Sequence, residues 1–209
     1  MGTEQAKRQR GRQPQTAQNQ TSGELVDAAL SVAQTHGIGA TTTRRIAAQA
    51  GLPLGTVHYW FANKDALIEA VITRLFDDVR HRLHENLRGA SLAEDLHQGY
   101  AAVSNPDQLL VLFECILHEA RTGGDSGVVD DLYTDYLATA TAVTERWCAD
   151  AQLNIPGGPA VLAQFIIALF DGLSLGRLAS PQNTNDNAIL TLVASLLDSA
   201  SGRTGPTAD

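Results

Sequence analysis

Residues 42–64 read TTRRIAAQAGLPLGTVHYWFANK and concentrate the side chains best suited to directed polar contact. Thr56, His58 and Tyr59 bring two hydroxyls and an imidazole into four residues, a set able to hydrogen-bond base edges, and Leu54 and Gly55 beside them suit close apolar contact with thymine methyls. Arg44, Arg45 and Lys64 bracket that set; cations so placed either neutralise phosphates or stand as ordinary surface charges. Between Arg45 and Lys64 there is no Arg or Lys, so affinity for a polyanion would rest on the flanking cations. A protonated His58 on a phosphate would make that affinity fall as pH rises.

Such groups need a helix that stands free of the body, and the flanking spacing predicts one. Ile46, Ala47 and Ala50 share one side of a helix that Thr41 or Thr42 can cap, Gly51 tolerates positive φ, and Leu52 and Val57 carry the apolar pattern into a second helix. This is helix-turn-helix spacing. Pro53 is acceptable at a first helical position, and Val57, Phe61 and part of Trp60 face inward. Upstream, Thr21 and Glu24 fit a capping box that opens a helix carrying Val26, Ala29, Leu30 and Ala33, with Gly37 as its stop. Downstream, Asn63 caps a fourth helix whose apolar period runs from Leu67 to Leu83 or Leu87, roughly 35 Å at ~1.5 Å per residue, enough to leave the first module and enter a second.

The remainder is helical in pattern throughout, with no alternating stretch. A fifth helix follows Ser91, Asn105-Pro106 opens a sixth, a Gly-rich loop at 123–127 precedes a seventh, an eighth from Pro159 is apolar nearly all round, and a ninth carries Ile189, Leu192, Val193, Leu196 and Leu197. The expected architecture is all-α with about nine helices: a disordered basic arm at 1–20, a helix-turn-helix module at 21–66, a larger helical domain at 67–201 and a disordered tail at 202–209.

Charge follows the same division. Of 209 residues with net charge −8, those through Lys64 hold seven Lys/Arg against three Asp/Glu, and those from Asp65 onward hold eight against twenty. A basic head on an acidic body suits a protein that touches phosphates with its first third only. Cys115 and Cys148 lie in apolar helical patterns and read as buried free thiols of a reducing compartment. The polar N-terminus lacks a signal-peptide core and the longest apolar run, at 165–170, is too short to span a bilayer, so a cytoplasmic protein without membrane partners is expected. No catalytic constellation stands out. The pairs His81/His84 and Glu114/His118 have helical spacing that recurs by chance, so no metal and no cofactor is expected.

On the segments ATTTRRIAAQAG, GTVHYWF and NKDALIEAV, within about residues 25 to 71, the chain resembles TetR-family transcriptional regulators; beyond, the likeness is one of helix count, with Asp171-Gly172-Leu173 a weaker match. The resemblance implies a three-helix DNA-binding head on a body that binds an effector and dimerises. It implies backbone contacts for Thr42, Thr43, Arg44 and Lys64, and groove contacts for Thr56, His58 and Tyr59. Departures at Pro53, Leu54 and His58 leave operator sequence open. The expected function is a ligand-responsive repressor, homodimeric through the eighth and ninth helices, released from a palindromic duplex DNA operator by a small organic effector. Readings held beside it are an activator of the same fold, a small-molecule carrier whose head makes protein contacts, and a helical hydrolase. For the effector site the candidate walls are Phe113, Leu117, Tyr133, Tyr136, Trp147 and Phe165, and the candidate anchors Glu114, His118 and Asp171; ordinary core packing is the competing role for each.

Overall fold

A computed structural model describes residues 15–87, 91–122 and 127–201. They form nine α-helices: α1 (Gln15–His36), α2 (Thr43–Ala50), α3 (Leu54–Trp60), α4 (Lys64–Asn86), α5 (Leu92–Val103), α6 (Pro106–Thr122), α7 (Val128–Ala151), α8 (Gly158–Ala179) and α9 (Asp186–Ser199). A short 3-10 turn, Ile38–Ala40, joins α1 to α2, and the extended pairing among the described residues is one isolated bridge, Leu153 with Ser201.

The chain divides into two compact units between Val71 and Ile72, inside α4 rather than near residue 66 as expected. The expected boundary followed the cap at Asn63; the actual one follows α4, whose first two turns bury Leu67, Ile68 and Val71 with the first unit. α1 also starts earlier than predicted, at Gln15, so the Thr21–Glu24 pair lies inside the helix instead of capping it, and residues 15–20 are helical rather than part of a disordered arm. Between Pro14 and Gly23 no residue breaks a helix, and each added turn propagates at little cost once a packed helix exists. The basic cluster Lys7–Arg12, the tail beyond residue 201 and most of the Gly-rich loop at 123–126 lie outside the described residues.

In the first unit α1 packs on α2, and α2 on α3. Leu25, Ala29, Ile46 and Val57 are each at most 6% exposed with Ala47, and full burial of a Leu, Ile or Val side chain is worth ~1.5–3 kcal/mol. The turn between α2 and α3 closes by a Schellman arrangement: Leu52 N–H donates to Ala47 O at 3.0 Å and Gly51 N–H to Ala48 O at 3.3 Å, with Gly51 at φ 66°. α2 opens on Thr42, whose hydroxyl accepts from Arg45 N–H at 3.3 Å, while Thr41 is buried and donates to Gly37 O. Asn63 caps α4 through Ala66 N–H at 2.8 Å.

In the second unit α7 and α8 form the broadest helix pair, α5 lies on α9, and α6 touches α8. Leu96, Tyr100, Trp147, Leu162, Ile166, Phe170, Leu190 and Leu197 belong to one core cluster. Two polar links cross it. Tyr100 Oη and Arg177 Nη2 both donate to the buried Asp186 carboxylate at 2.8 Å, and Trp147 Nε1 and Arg146 Nη2 donate to Asp95 Oδ2 at 2.9 and 3.1 Å. Arg82 ties the later part of α4 to the α5–α6 corner, donating to Ala102 O and Gln108 Oε1, each at 2.7 Å. By length and composition α8 could cross a bilayer. Here Leu162, Ala163, Ile166, Ile167 and Phe170 face the core instead, while Val161, Phe165 and Leu175 on its other side stay about half exposed. The expectation of burial on several sides is therefore met on one side only within a single chain. Cys115 is buried as expected; Cys148 is only partly so.

Candidate functional site

α3 is seven residues long, and only Val57 is fully buried, so the rest of the helix is offered outward. Tyr59 is 75% exposed and Leu54 42%, with Gly55 and His58 also exposed and Thr56 half-buried. Tyr59 meets Trp60 edge to face at 5.6 Å, which braces its ring against the less exposed tryptophan. Phe61, just past the helix, is buried as predicted. The outward set is therefore one convex helix face with two hydroxyls, an imidazole and a small apolar step, free of cations.

The cations lie to its sides, on one carbonyl ridge. Arg45 Nη1 donates to Ala40 O at 3.0 Å, and Lys64 Nζ reaches Gly39 O at 3.5 Å. The 3-10 turn thus holds one cation from the start of α2 and another from the start of α4. Arg44 is exposed, and with Ala40, Thr42, Arg45 and Ala48 it lines an open depression at the amino end of α2. Backbone N–H groups at a helix start together with two guanidinium groups favour an oxyanion such as a phosphate. Arg45, a cation the sequence offered either for phosphate or as a surface charge, stands in this cluster, although the contacts implied by the resemblance stopped at Arg44.

In the second unit a cavity of about 40 Å³ lies among α5, α7 and α8 and the end of α4. Tyr136 and Trp147 are on its wall as expected, with Leu83, Leu87, Asp95, Gly99, Thr139, Ala140, Val143, Thr144, Ile166, Ile167 and Phe170. Phe113, Glu114, Leu117, His118, Tyr133, Phe165 and Asp171 are not part of that wall. Leu117, Tyr133 and Phe165 are instead 54%, 42% and 50% exposed, since α6 contributes nothing to the cavity and α7 turns Tyr136, Val143 and Trp147 toward it. Gly99 packs closely on Phe170: a methyl group there would meet the ring at 3.3 Å, and the ring would have to give by a few tenths of an ångström. Burial lifts the Tyr136 hydroxyl above its ordinary value, and the Asp171 and Tyr133 charges add to this. Asp95, missed in the sequence, occupies an apolar stripe formed by Leu92, Leu96, Gly99 and Tyr100; a lone carboxylate in such a stripe was the legible sign.

The chain has recognisable relatives. Residues 25–71 match the family model for bacterial regulatory proteins, tetR family. The nicotine-responsive transcriptional repressor HdnoR of Paenarthrobacter nicotinovorans is 26% identical over 172 residues, covering 77% of this chain and 84% of that one. Among solved structures, a transcriptional regulator from Rhodococcus sp. Rha1 superposes with a TM-score of 0.71 at 20% identity, over 84% of this chain and 95% of that chain. The transcriptional regulator FadR of Bacillus subtilis, solved with stearoyl-CoA, gives 0.65 at 19% identity over 85% and 98%.

Proposed function

We propose that this chain, whose residues 25–71 match the family model for bacterial regulatory proteins of the tetR family, is a homodimeric, effector-released repressor of a palindromic operator. The observation that carries the reading is α3, with Leu54, His58 and Tyr59 exposed around a buried Val57, flanked by Arg44, Arg45 and Lys64. On DNA, Thr56, His58 and Tyr59 read base edges, Leu54 and Gly55 approach thymine methyls, and Thr42, Thr43, Arg44 and Lys64 hold phosphates. Because α3 carries no cation, a single head binds weakly and two must act together. Dimerisation through α8 and α9 supplies the second: Val161, Phe165, Leu175, Leu192 and Leu196 are 47–61% exposed in one chain, and a four-helix bundle with a partner would cover them. Two-fold symmetry then sets the recognition helices about 34–36 Å apart, one turn of duplex.

The relatives include a repressor that responds to nicotine and a regulator that holds an acyl-CoA. By analogy the cavity of this chain takes a small organic effector. Leu83 on its wall belongs to α4, the helix that also carries Lys64 and, through Leu67 and Val71, the core of the first unit. An effector that displaces Leu83 changes the position of α4 and with it the spacing of the heads. Moving operator occupancy from 99:1 to 1:99 requires ~5.5 kcal/mol of differential binding. The protein acts on DNA in the cytoplasm and needs no cofactor for this role.

A gel-shift titration on the DNA flanking its own gene, at two salt concentrations, tests the proposal. Nanomolar binding that weakens steeply with salt is expected. Absence of binding at either salt concentration would sink it.

A further inference from the structure

We infer that the cavity of the second unit is built for an uncharged, predominantly apolar molecule with at least one ring, which enters along the seam between α4 and α7. This rests on the reading of the cavity as the effector site and names the chemistry that site admits. Most of the wall is aliphatic or aromatic, with Val143, Ile166, Ile167 and Phe170 from α7 and α8 and Leu83 and Leu87 at the end of α4.

The polar groups of the wall are engaged inside the protein. Trp147 Nε1 donates to Asp95 Oδ2 at 2.9 Å, the Thr144 hydroxyl shares its hydrogen between Pro159 O at 2.8 Å and Thr141 O at 3.0 Å, and the Thr139 hydroxyl donates to Asp135 O at 3.0 Å. Asp95 is the one charged residue among those lining the cavity, and Arg146 is already its counter-ion at 3.1 Å, so the pair sums to zero. Burial keeps the Tyr136 hydroxyl protonated. A ligand therefore meets a wall without net charge. An ion entering it would give up its hydration and find no counter-charge, whereas apolar surface leaves water at a gain that grows with its area. Tyr136, Trp147 and Phe170 add aromatic rings, which favour offset or edge-to-face contact with another ring.

Size and route follow from the α4 side. An apolar cavity of ~150 Å³ holds a benzene ring. This one measures about 40 Å³, so a ring-bearing ligand has to push part of the wall outward. α7 and α8 form the broadest helix pair of the unit, whereas the seam between α4 and α7 contains a second cavity of about 10 Å³ that shares Leu83, Tyr136 and Thr139 with the first. Side chains beside a void have fewer atoms to hold them, so the seam is the part that yields. Tyr136 stands between the two spaces, and its edge-to-face contact with Phe76, at 6.1 Å between centroids, leaves the ring able to turn. Arg80 and Asp135, both exposed, line the smaller cavity and give the seam a polar mouth ahead of an apolar interior. A ring passing that mouth displaces Tyr136 and Leu83, and so acts on α4 by its volume and not by a charge.

The test is calorimetric titration of the full-length protein at pH 7 with three one-ring probes of similar size: ethylbenzene, benzylammonium and benzoate. Ethylbenzene is expected to bind at least tenfold more tightly than either ion, and to weaken operator binding in a gel shift that the ions leave unchanged. Ala140→Leu, which fills the cavity from α7, should weaken ethylbenzene at least tenfold. Val143→Ala, which enlarges the cavity, should strengthen the bulkier propylbenzene several-fold, and it keeps the inference testable if Ala140→Leu fails to fold. An ion that binds as tightly as ethylbenzene and loses its affinity in Ala140→Leu overturns the ligand class while leaving the effector cavity in place. Ethylbenzene binding that neither variant alters overturns both the ligand class and the cavity as effector site, as does absence of binding by all three probes with operator affinity unaltered.

Discussion

The Tyr100 hydroxyl donates to the Asp186 carboxylate at 2.8 Å across 86 positions of sequence, and so joins α5 to the first residue of α9. Arg177 of α8 completes the link, bonding the same carboxylate at 2.8 Å with its guanidinium 5.5 Å from the centre of the Tyr100 ring. Burial raises the Tyr100 hydroxyl above its ordinary value, the bond to Asp186 adds to that, and the group stays a donor at all physiological pH. Tyr100→Phe removes this donor and leaves Asp186 buried with one partner fewer. A hydrogen bond to a charged group is worth ~1.5–3 kcal/mol, and a loss of that order in denaturant titration is expected. An unchanged midpoint would show the link to be incidental.

Tyr59 is 75% exposed, so replacing it leaves the fold alone. Tyr59→Ala should lower operator affinity at least tenfold, in keeping with ~1–3 kcal/mol for a direct base contact, with circular dichroism and dimer size unchanged. Full operator affinity in the variant would remove α3 from the DNA.

Gly51 adopts φ 66° with no atom crowding its Cβ position, so substitution there tests backbone conformation without steric clash. Gly51→Ala is expected to cost ~1–2 kcal/mol, the penalty of the left-handed region for a residue with Cβ. Thermal melts of both proteins measure it.

Leu196 is 61% exposed on α9, where a charge costs a lone protomer little. Leu196→Glu should shift sedimentation from dimer to monomer and weaken operator binding in proportion. A dimer that persists would place the interface elsewhere.

Burial, with the Glu114 and Glu119 carboxylates adding to it, pushes the Cys115 thiol from 9.0 to about 12. In the unfolded chain the thiol ionises from its ordinary value upward, whereas the folded protein keeps the proton. This contribution to stability is therefore complete below pH 9 and is lost as pH rises toward 12, with a limiting slope of ~1.4 kcal/mol per pH unit. Cys115→Ala should flatten stability above pH 9, as read from urea titrations at pH 8, 9 and 10.

The sequence alone determined the parts of this protein that depend on neighbours a few residues away. The Asn63 cap, a threonine cap for α2 at position 41 or 42, the Gly51 turn and the buried Val57 and Phe61 behind an exposed Tyr59 all follow from helical period and local hydrogen bonding, which act within one or two turns; the structure chose Thr42 as that cap. Only the tertiary structure decided which sides of α6, α7 and α8 meet. An apolar stripe records that a face is covered but not by what, so Tyr133 and Phe165 read as cavity walls although they are half exposed, while Asp95 passed unnoticed. The partners of Asp95 lie 51 and 52 positions away, and those of Tyr100 up to 86. Pairings over such distances are set by how whole helices pack, and no local pattern encodes them.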